Sequence, residues 1–278
     1  MTIIGQKVLQ TTINDLVEKN HFPRFSIIVG EFGSGKKLIS DYIAQKLCCQ
    51  FIPCEIKVDE IRNVLDLALT LDTPTVYMFA DSDKMSTGAK NSILKITEEP
   101  PPNAYFIMTL QDTQNTLATL LSRGTVFHMD KYTPSELADY CNYKKYNLTK
   151  QELSIIQKVC LTPLDIQTAI TCKIQDFYTL CEKFITLIGN ANLSNELKIC
   201  TLLSTKDTDE KYDPVLFMRT FMFLCNDYFL NTSNVNYFEC LKATSSSLGM
   251  LSIKGINKQC VIDNWITTLH FIMTGGIL

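Results

Sequence analysis

The segment that most constrains the fold is a glycine-rich stretch near the start of the chain. Three of the eleven glycines fall within six residues, in the sequence GEFGSGKK. An apolar run, Ser26–Val29, precedes the stretch, and a helical pattern from about Lys36 to Cys48 follows it. This context predicts a phosphate-binding P-loop, because glycines let backbone N–H groups wrap phosphates while the lysine reaches the outer ones. The candidate nucleotide-binding residues are Gly30, Gly33, Ser34, Gly35, Lys36 and Lys37. The alternative is a glycine-rich turn that binds nothing.

The rest of the first half alternates short apolar runs with helical patterns. The predicted strands are Ser26–Val29, Phe51–Val58, Thr75–Ala80, Ala104–Leu110 and Thr125–Met129. The helices predicted between them are Lys36–Cys48, Asp59–Leu71, Ser86–Glu98 and Gln114–Leu121. In the second of these, Ile61, Leu65 and Leu69 share the face that we expect to be buried. Five strands with helices between them predict an α/β fold with a parallel sheet.

Beyond Tyr132 the chain shows helical patterns alone. The helices predicted there are Pro134–Tyr143, Thr149–Cys160, Pro163–Leu187, Glu196–Ser204, Asp213–Phe229, Asn234–Leu248 and Lys258–Met273. The second starts with a capping-box spacing, Thr149 to Glu152. Residues 189–194, GNANLS, are the clearest linker. We therefore predict an α/β domain over 1–131, a small helical domain over 132–188 and a helical C-terminal domain over 189–278.

Composition narrows the class of protein. The 278 residues carry 26 Lys and Arg against 29 Asp and Glu, a net charge of −3, which excludes a free-standing basic duplex-DNA binder. None of the eleven cysteines forms a Cys-x-x-Cys pair, so we expect reduced thiols and no metal site. The first ten residues do not resemble a signal peptide, and Arg219 and Asp227 interrupt the most apolar stretch. The expectation is a soluble, cytoplasmic protein.

Two segments depart from the pattern of a working P-loop ATPase. A Ser or Thr normally follows the P-loop lysine and places its hydroxyl on Mg²⁺, whereas Lys37 offers no metal-ligating oxygen. The third strand normally ends in an acidic pair that binds the metal and orients water. Here that strand is followed by Ala80, Asp81, Ser82 and Asp83. Phosphate binding is compatible with these changes, but metal-assisted hydrolysis is not expected.

The segment around Asp83 resembles the clamp-loader branch of the AAA+ ATPases, whose corresponding residues are Asp-Glu-Ala-Asp-Lys-Met. When Asp83 is aligned with the last Asp of that motif, Ala80 takes the place of the metal-binding Asp and Asp81 that of the catalytic Glu. A shift of one residue gives Asp81 the metal role, but Ser82 then replaces the acid. In either register the motif, which corresponds to Walker B, is degenerate.

Three further segments carry the same resemblance in the same order. Residues 3–6, IIGQ, are similar to the family's IxGQ opening near the adenine, and residues 91–102, NSILKITEEPPP, to its LLKxLEEPPP helix end. Residues 117–124, LATLLSRG, are similar to PATILSRC, with Gly124 in place of the cysteine. The resemblance covers about residues 3–130. It implies that 1–131 is an AAA+ ATPase-like domain, 132–188 a lid and 189–278 an oligomerising collar.

The resemblance also implies roles for individual residues. Arg123 corresponds to the arginine finger that the family donates to the nucleotide site of a neighbouring subunit. Arginine suits this role because it stays charged and engages phosphate oxygens in a two-pronged way. Leu164 lies where the lid usually carries a second sensing arginine, and Gln111 lies near the sensor position after the fourth strand. The alternative for Arg123 is a surface arginine in a helix-to-strand turn.

A degenerate ATPase site beside a retained arginine finger resembles the delta-prime type of clamp-loader subunit in bacterial DNA polymerase III. The implied partners are the other subunits of a hetero-pentamer, the sliding clamp and primer-template DNA, which Lys84, Lys90 and Lys95 would approach. No cofactor is certain, and ATP or ADP is the candidate ligand, without productive Mg²⁺-dependent hydrolysis. The alternatives are an active gamma/tau-type clamp-loader ATPase and a non-catalytic interaction protein.

Overall fold

The chain folds into two compact units, an α/β unit and a helical unit. The computed structural model describes residues 2–70, 72–114, 116–188, 203, 212–251, 253 and 255–275. The α/β unit is Met1–Glu136 with Thr162–Leu164, and the helical unit is Leu137–Leu161 with Asp165–Leu278. The division into three domains at residues 131 and 188 stays a prediction.

The α/β unit is built on a five-stranded sheet in which all four strand pairs are parallel. The strands are β1 (Phe25–Val29), β2 (Gln50–Cys54), β3 (Thr75–Phe79), β4 (Ala104–Leu110) and β5 (Thr125–His128), in the order β2-β3-β4-β1-β5. Every residue of β1 and β3 is buried, which explains their continuous apolar sequences. The predicted α/β fold with a parallel sheet is confirmed.

Helices cover both faces of this sheet. They are α1 (Lys7–Glu18), α2 (Lys36–Lys46), α3 (Val58–Thr70), α4 (Thr87–Glu98) and α5 (Ala118–Leu121). Side chains of neighbouring strand residues point to opposite faces, so Ile27 joins one buried cluster with Phe106 and Ile93, and Ile28 joins the other with Ile39. The sheet therefore has a core on each side, and its strand ends are left free to carry functional loops.

Three predictions in the α/β unit need correction, and one helix was missed. Helix α1 has no counterpart among the predicted elements. Strand β2 ends at Cys54 rather than Val58, because it is an edge strand with few buried residues and α3 already begins at Val58. On α3, Leu69 is 68% exposed, since the buried stripe continues from Ile61 to Ala68 instead. The helix predicted from Gln114 begins only at Ala118.

The helical unit holds most of the remaining elements. The helices after β5 are α6 (Pro134–Tyr143), α7 (Lys150–Val159), α8 (Pro163–Thr171), α9 (Ile174–Ile188), α10 (Pro214–Thr232), α11 (Val235–Leu251) and α12 (Lys258–Thr274). The predicted capping box of α7 is present, with Thr149 and Glu152 bonded reciprocally. The single helix predicted from Pro163 to Leu187 is wrong, because Lys173 adopts a left-handed conformation (φ 53°) and separates α8 from α9.

An aromatic core holds the helical unit together. Phe184, Phe217 and Phe221 surround Trp265 with ring centroids 5.4–6.3 Å from it, and the Trp265 Nε1–H donates to Thr244 Oγ1 at 2.9 Å. All four rings are essentially inaccessible to solvent. The apolar segment 217–224 therefore belongs to this core, and Arg219 within it is paired with Asp165 at 3.0 Å.

Some sequence predictions fall where little is described. The linker at 189–194 lies outside the described residues, and so does the helix Glu196–Ser204 apart from Leu203.

Ten cysteines lie in the described part, and all ten are free thiols. Burial raises the pKa of Cys54 to about 11 and that of Cys240 to about 12, which makes them poor nucleophiles.

The described residues hold neither a cluster of metal ligands nor a membrane-spanning helix. No group of three or more His, Cys, Asp or Glu side chains in this part of the chain is placed to hold a metal ion. Over the same residues, no helix combines the length and the apolar character needed to span a membrane.

Candidate nucleotide site and arginine finger

The glycine-rich loop joins the central strand β1 to helix α2. Gly33 and Gly35 have φ values of 79° and 95°, a left-handed conformation that glycine adopts without strain. Gly35 is the N-cap of α2, so the first N–H groups of this helix, which have no intrahelical partners, lie directly beyond the loop. The loop is anchored to the sheet because the Gly30 N–H donates to Leu110 O at 3.0 Å. This backbone has the arrangement that binds phosphate in P-loop proteins.

Lys36 folds back onto the loop that precedes it. Its Nζ donates to Gly30 O at 2.7 Å and to Glu31 O at 2.8 Å, and the residue is only 8% exposed. Burial lowers the pKa of Lys36, while the negative charges of Asp81, Asp83 and Glu31 act in the opposite direction. The ammonium group therefore lies across the loop, where a phosphate-binding lysine is expected.

The other two loop side chains differ in their surroundings. Ser34 is buried, and its Oγ–H donates to Met129 Sδ at 3.4 Å. Lys37 is exposed on the first turn of α2, and its side chain supplies no oxygen to a metal ion. The loop thus keeps its backbone and its lysine but lacks the hydroxyl at position 37.

The acidic segment follows β3 at the same edge of the sheet. Ala80, at the position of the metal-binding carboxylate, presents only a methyl group. Asp81 has a left-handed backbone (φ 49°), and its carboxylate accepts a hydrogen bond from Lys84 Nζ at 2.8 Å. The Asp83 carboxylate accepts the backbone N–H of Gln111 at 2.9 Å. The fold therefore brings Asp81 and Asp83 near Lys36, but their described partners are a lysine and a backbone amide.

Arg123 lies at the opposite edge of the sheet. Strands β1 and β5 are parallel with Ser26 opposite Thr125, so Arg123 precedes β5 where the strands begin, whereas the P-loop follows β1 where they end. At about 3.3 Å per residue, the two are roughly 15 Å apart along the strands. Its guanidinium donates from Nη2 to Glu98 Oε1 at 2.7 Å and from Nη1 to Thr119 O at 3.0 Å. Arg123 therefore cannot serve the P-loop of its own chain.

Comparisons with known proteins agree with these motifs. The family described as DNA polymerase III, delta subunit, matches residues 53–133. The DNA polymerase III subunit gamma of Buchnera aphidicola subsp. Acyrthosiphon pisum is 24% identical over 246 residues, which cover 77% of this chain and 66% of that protein. The delta' subunit of Buchnera aphidicola subsp. Baizongia pistaciae is 28% identical over 161 residues, 54% of this chain and 46% of its own length. The chain is therefore similar to subunits of the DNA polymerase III clamp loader.

A solved structure supports the AAA+ fold. The DNA polymerase III, gamma subunit-related protein of Thermotoga maritima superposes with a TM-score of 0.53 and 16% identity, over 95% of this chain and 99% of that one. At this identity the likeness concerns the fold alone. The chain therefore has the fold of an α/β AAA+ module followed by a helical part, and it spans about half to two thirds of the two curated relatives named above.

The opening motif of the chain is bonded to the segment that follows β5. Gln6 is buried, and its amide group exchanges two hydrogen bonds with the backbone of Asp130, at 2.7 and 2.8 Å. Tyr132 follows, and its hydroxyl donates to Ser34 O in the P-loop at 2.8 Å. A Cβ on Gly5 would lie 3.1 Å from the Tyr132 ring, so only glycine fits comfortably there. Tyr132 is a site residue that the sequence did not single out.

Leu164 lies directly against the P-loop. A Cβ built on Gly33 would come within 2.4 Å of the Leu164 Cβ and 3.0 Å of Thr162 Oγ1. The position that we compared with a sensing arginine is thus adjacent to the loop, but it presents an aliphatic side chain. Leucine offers no charge to a phosphate, and it closes the space beside Gly33.

The surroundings of Gly124 leave no room for the cysteine found at this position of the similar motif. A Cβ there would lie 2.9 Å from Phe25 Cε1 and 3.0 Å from Ile27 Cδ1. Two large side chains of β1 therefore occupy the space that a cysteine would need.

The three lysines proposed to approach DNA are not equivalent. Lys84 is exposed but paired with Asp81, and Lys95 is exposed near the end of α4. Lys90 is only 8% exposed, because it lies on the inner stripe of α4 with Ala89 and Ile93. The prediction that Lys90 approaches DNA is therefore wrong, because this side chain is buried.

Proposed function

We propose that this chain is a delta-prime-type clamp-loader subunit of a DNA polymerase III holoenzyme. Its Arg123 serves the nucleotide bound by a neighbouring subunit, and its own P-loop does not hydrolyse ATP. Its partners are the other clamp-loader subunits in a hetero-pentamer, the sliding clamp, and primer-template DNA bound by the whole complex.

The observation that carries this proposal is the contrast between the two edges of one sheet. At the edge of the P-loop, Ala80, Lys37 and Leu164 replace the groups that a working ATPase uses. At the other edge, Arg123 is retained, 35% exposed, and out of reach of its own P-loop. An arginine placed there has a use in phosphate chemistry only if another chain supplies the nucleotide.

The donor set at the P-loop edge does not fit a Mg²⁺ ion. Magnesium prefers oxygen ligands in octahedral geometry, and the two positions that would supply them hold a methyl group and an ammonium group. The phosphate-binding part is different, since the loop backbone and Lys36 suit an anion. ATP or ADP is therefore the candidate ligand of this loop, held without a productive metal ion.

The test is the ATPase activity of the purified chain and of the complex that it forms with its replication partners. We expect no turnover by the chain alone above that of the Lys36→Ala variant. In the complex, we expect Arg123→Ala to lower turnover at the neighbouring site by at least a hundredfold, since arginine fingers generally contribute about a thousandfold or more. Arg62→Ala is a matched control, because Arg62 is also a surface arginine in an ion pair.

Two outcomes contradict the proposal. Robust, Lys36-dependent hydrolysis by the isolated chain means that its own site works. Equal activities of the Arg123→Ala and wild-type complexes, with normal assembly, mean that Arg123 is not a finger and favour a non-catalytic interaction protein.

A gamma/tau-type ATPase is the second candidate, and one observation favours it. Gly33, Gly35 and Lys36 retain the P-loop geometry, and proteins named gamma and tau are among the relatives. For that function, Lys36→Ala must lower the ATPase of the assembled complex. For a delta-prime-type subunit, the same substitution leaves it unchanged.

A further inference from the structure

The candidate arginine finger is held by an acidic side chain of its own chain. Glu98, the last residue of α4, accepts a hydrogen bond from Arg123 Nη2 at 2.7 Å. The other end of the guanidinium is bonded to Thr119 O in α5 at 3.0 Å. The two residues are 25 positions apart and come from different elements, so the pairing depends on the tertiary fold.

The backbones on both sides of this ion pair are fixed. Glu98 ends a helix that packs into the sheet core through Ile93 and Ile96, and Pro100–Pro102 follow it. Arg123 lies two residues before β5, and its N–H donates to Leu120 O at 3.2 Å. Any exchange of partners therefore requires only the two long side chains to move.

Water reaches both members of the pair. The side chain of Arg123 is 35% exposed and that of Glu98 is 57% exposed. Exposed ion pairs are weak, because solvent screens the charges and two flexible side chains must be ordered. Phosphate oxygens are stronger partners for a guanidinium, since the hydrogen bonds are charge-assisted and can be two-pronged. A phosphate group brought by another chain would therefore displace Glu98.

We propose that Glu98 is a counter-ion that holds Arg123 until a neighbouring subunit presents its nucleotide. The proposal rests on the trans role of Arg123 proposed above. While Arg123 is bound to Glu98, it cannot contact the nucleotide of the neighbouring subunit. The apparent affinity of that site for ATP is therefore reduced in proportion to the fraction of subunits in which Arg123 is paired with Glu98. Once ATP is bound, Glu98 has no further effect on turnover. Glu98 is thus a positioning residue that sets the nucleotide concentration at which the complex responds.

Glu99 offers a matched control. It carries the same charge at the next position and is also exposed, but it is the C-cap of α4, with a backbone that is no longer helical (φ −132°, ψ 74°). Arg123 donates its described hydrogen bonds to Glu98 and Thr119 rather than to Glu99. Substituting Glu99 removes the same charge from the same region without removing this contact.

The test is a titration of the assembled complex with ATP in the presence of primer-template DNA. Complexes contain wild type, Glu98→Gln, Glu99→Gln, Arg123→Ala or the double variant Glu98→Gln/Arg123→Ala. The rate that depends on Arg123 is the difference between the wild-type and Arg123→Ala complexes. We expect Glu98→Gln to lower the KM of this component roughly two- to fivefold, as suits an exposed ion pair, with kcat unchanged.

Three controls define the result. Glu99→Gln leaves KM unchanged, and Glu98→Gln has no effect in the Arg123→Ala background. The difference between wild type and Glu98→Gln narrows as salt is added, because salt screens the exposed pair. A purely structural role for Glu98 would alter kcat or assembly instead, and would do so with or without Arg123.

The outcomes separate this proposal from the one on which it rests. If Arg123→Ala leaves the ATPase unchanged, the trans role is wrong, and the role of Glu98 is wrong with it. If Arg123→Ala lowers the rate but Glu98→Gln behaves like Glu99→Gln, or lowers kcat, only the counter-ion role is overturned. A lower KM for Glu98→Gln alone supports both.

Discussion

The two edges of the AAA+ sheet differ in how their functional groups are held. At the P-loop edge, Lys36 is buried on loop carbonyls, and Leu164 lies against Gly33. At the other edge, Arg123 is held through an exposed ion pair with Glu98. Lys36 and Leu164 are held by buried contacts that are costly to break. Arg123 is held by an exposed ion pair that exchanges easily. Under the proposed function, this difference would let one half of a shared active site be lost while the other half is retained.

The largest expected effect concerns the chemistry of Arg123. In the assembled complex, Arg123→Lys should lower the Arg123-dependent ATPase on the order of a hundredfold, nearly as much as removal of the side chain, because an ammonium group cannot make the two-pronged contact. Lys36→Met should leave the same rate unchanged. The measurement is steady-state ATP hydrolysis with saturating DNA and clamp. Full activity of the lysine variant would mean that a simple positive charge is sufficient.

The next largest effect is the loss of stability on replacing a glycine at each edge of the sheet. Gly33→Ala should destabilise the α/β unit by about 2–4 kcal/mol, because the residue has a positive φ and its Cβ would overlap Leu164. Gly124→Ala should cost less, about 1–2 kcal/mol, since its close neighbours are side-chain atoms of Phe25 and Ile27 and its φ is not left-handed. Hydrogen exchange of the β1 amides measures the loss of stability caused by each substitution.

Leu164→Gly provides the control for this comparison. It should recover part of the loss in the Gly33→Ala background, because it removes the Leu164 Cβ and Cδ2 atoms that the new methyl group would meet, and it should not affect Gly124→Ala. Equal costs for the two glycine substitutions would contradict the difference between the edges.

A smaller effect is expected from the hydroxyl of Tyr132. Tyr132→Phe removes the hydrogen bond to Ser34 O and should destabilise the α/β unit by about 1 kcal/mol, the usual net value of such a bond. Tyr143, whose side chain is 53% exposed, gives a control in Tyr143→Phe. Protection of the amides in α2 should fall in the first variant and not in the second.

The smallest effect is a dependence of stability on pH through Lys36. Burial lowers the pKa of Lys36 in the folded chain below its ordinary value of 10.5. Between these two pKa values the unfolded chain binds more protons, so the free energy of unfolding rises with pH across this window. Lys36→Met should remove that rise. Urea denaturation of the wild type and of Lys36→Met, repeated across this pH window, measures the rise. If the free energy of unfolding of the variant rises with pH as steeply as that of the wild type, Lys36 is not its source.

The sequence was sufficient for local features and insufficient for contacts between distant segments. Glycines 30, 33 and 35 predicted a strand–loop–helix unit because each signal lies within a few residues. Helix α1 was missed since Gln6 precedes it in a left-handed conformation and supplies no side-chain cap. Lys90 was placed on the surface because a lysine is rarely buried, although the spacing of Ala89 and Ile93 marks the inner stripe of α4.

The candidate site shows the same limit. The positions of Lys37, Ala80 and Arg123 were predictable, because ordered motifs fix them along the chain. The contact of Tyr132 with Ser34 joins residues 98 positions apart, and that of Arg123 with Glu98 joins residues 25 apart. Neither pair has a local signature in the sequence, since each depends on the order of the strands. That order, β2-β3-β4-β1-β5, is itself a property of the folded chain.

Strand β5 has only four residues, with Arg123 just before it and Asp130, the partner of Gln6, just after it. Side chains alternate along a strand, so inserting one residue would turn the buried Phe127 towards the opposite face and shift everything downstream. Insertions within this strand should therefore be far less tolerated than insertions in surface loops. The length of β5 acts as a fixed spacer between the arginine and the anchored N-terminal segment.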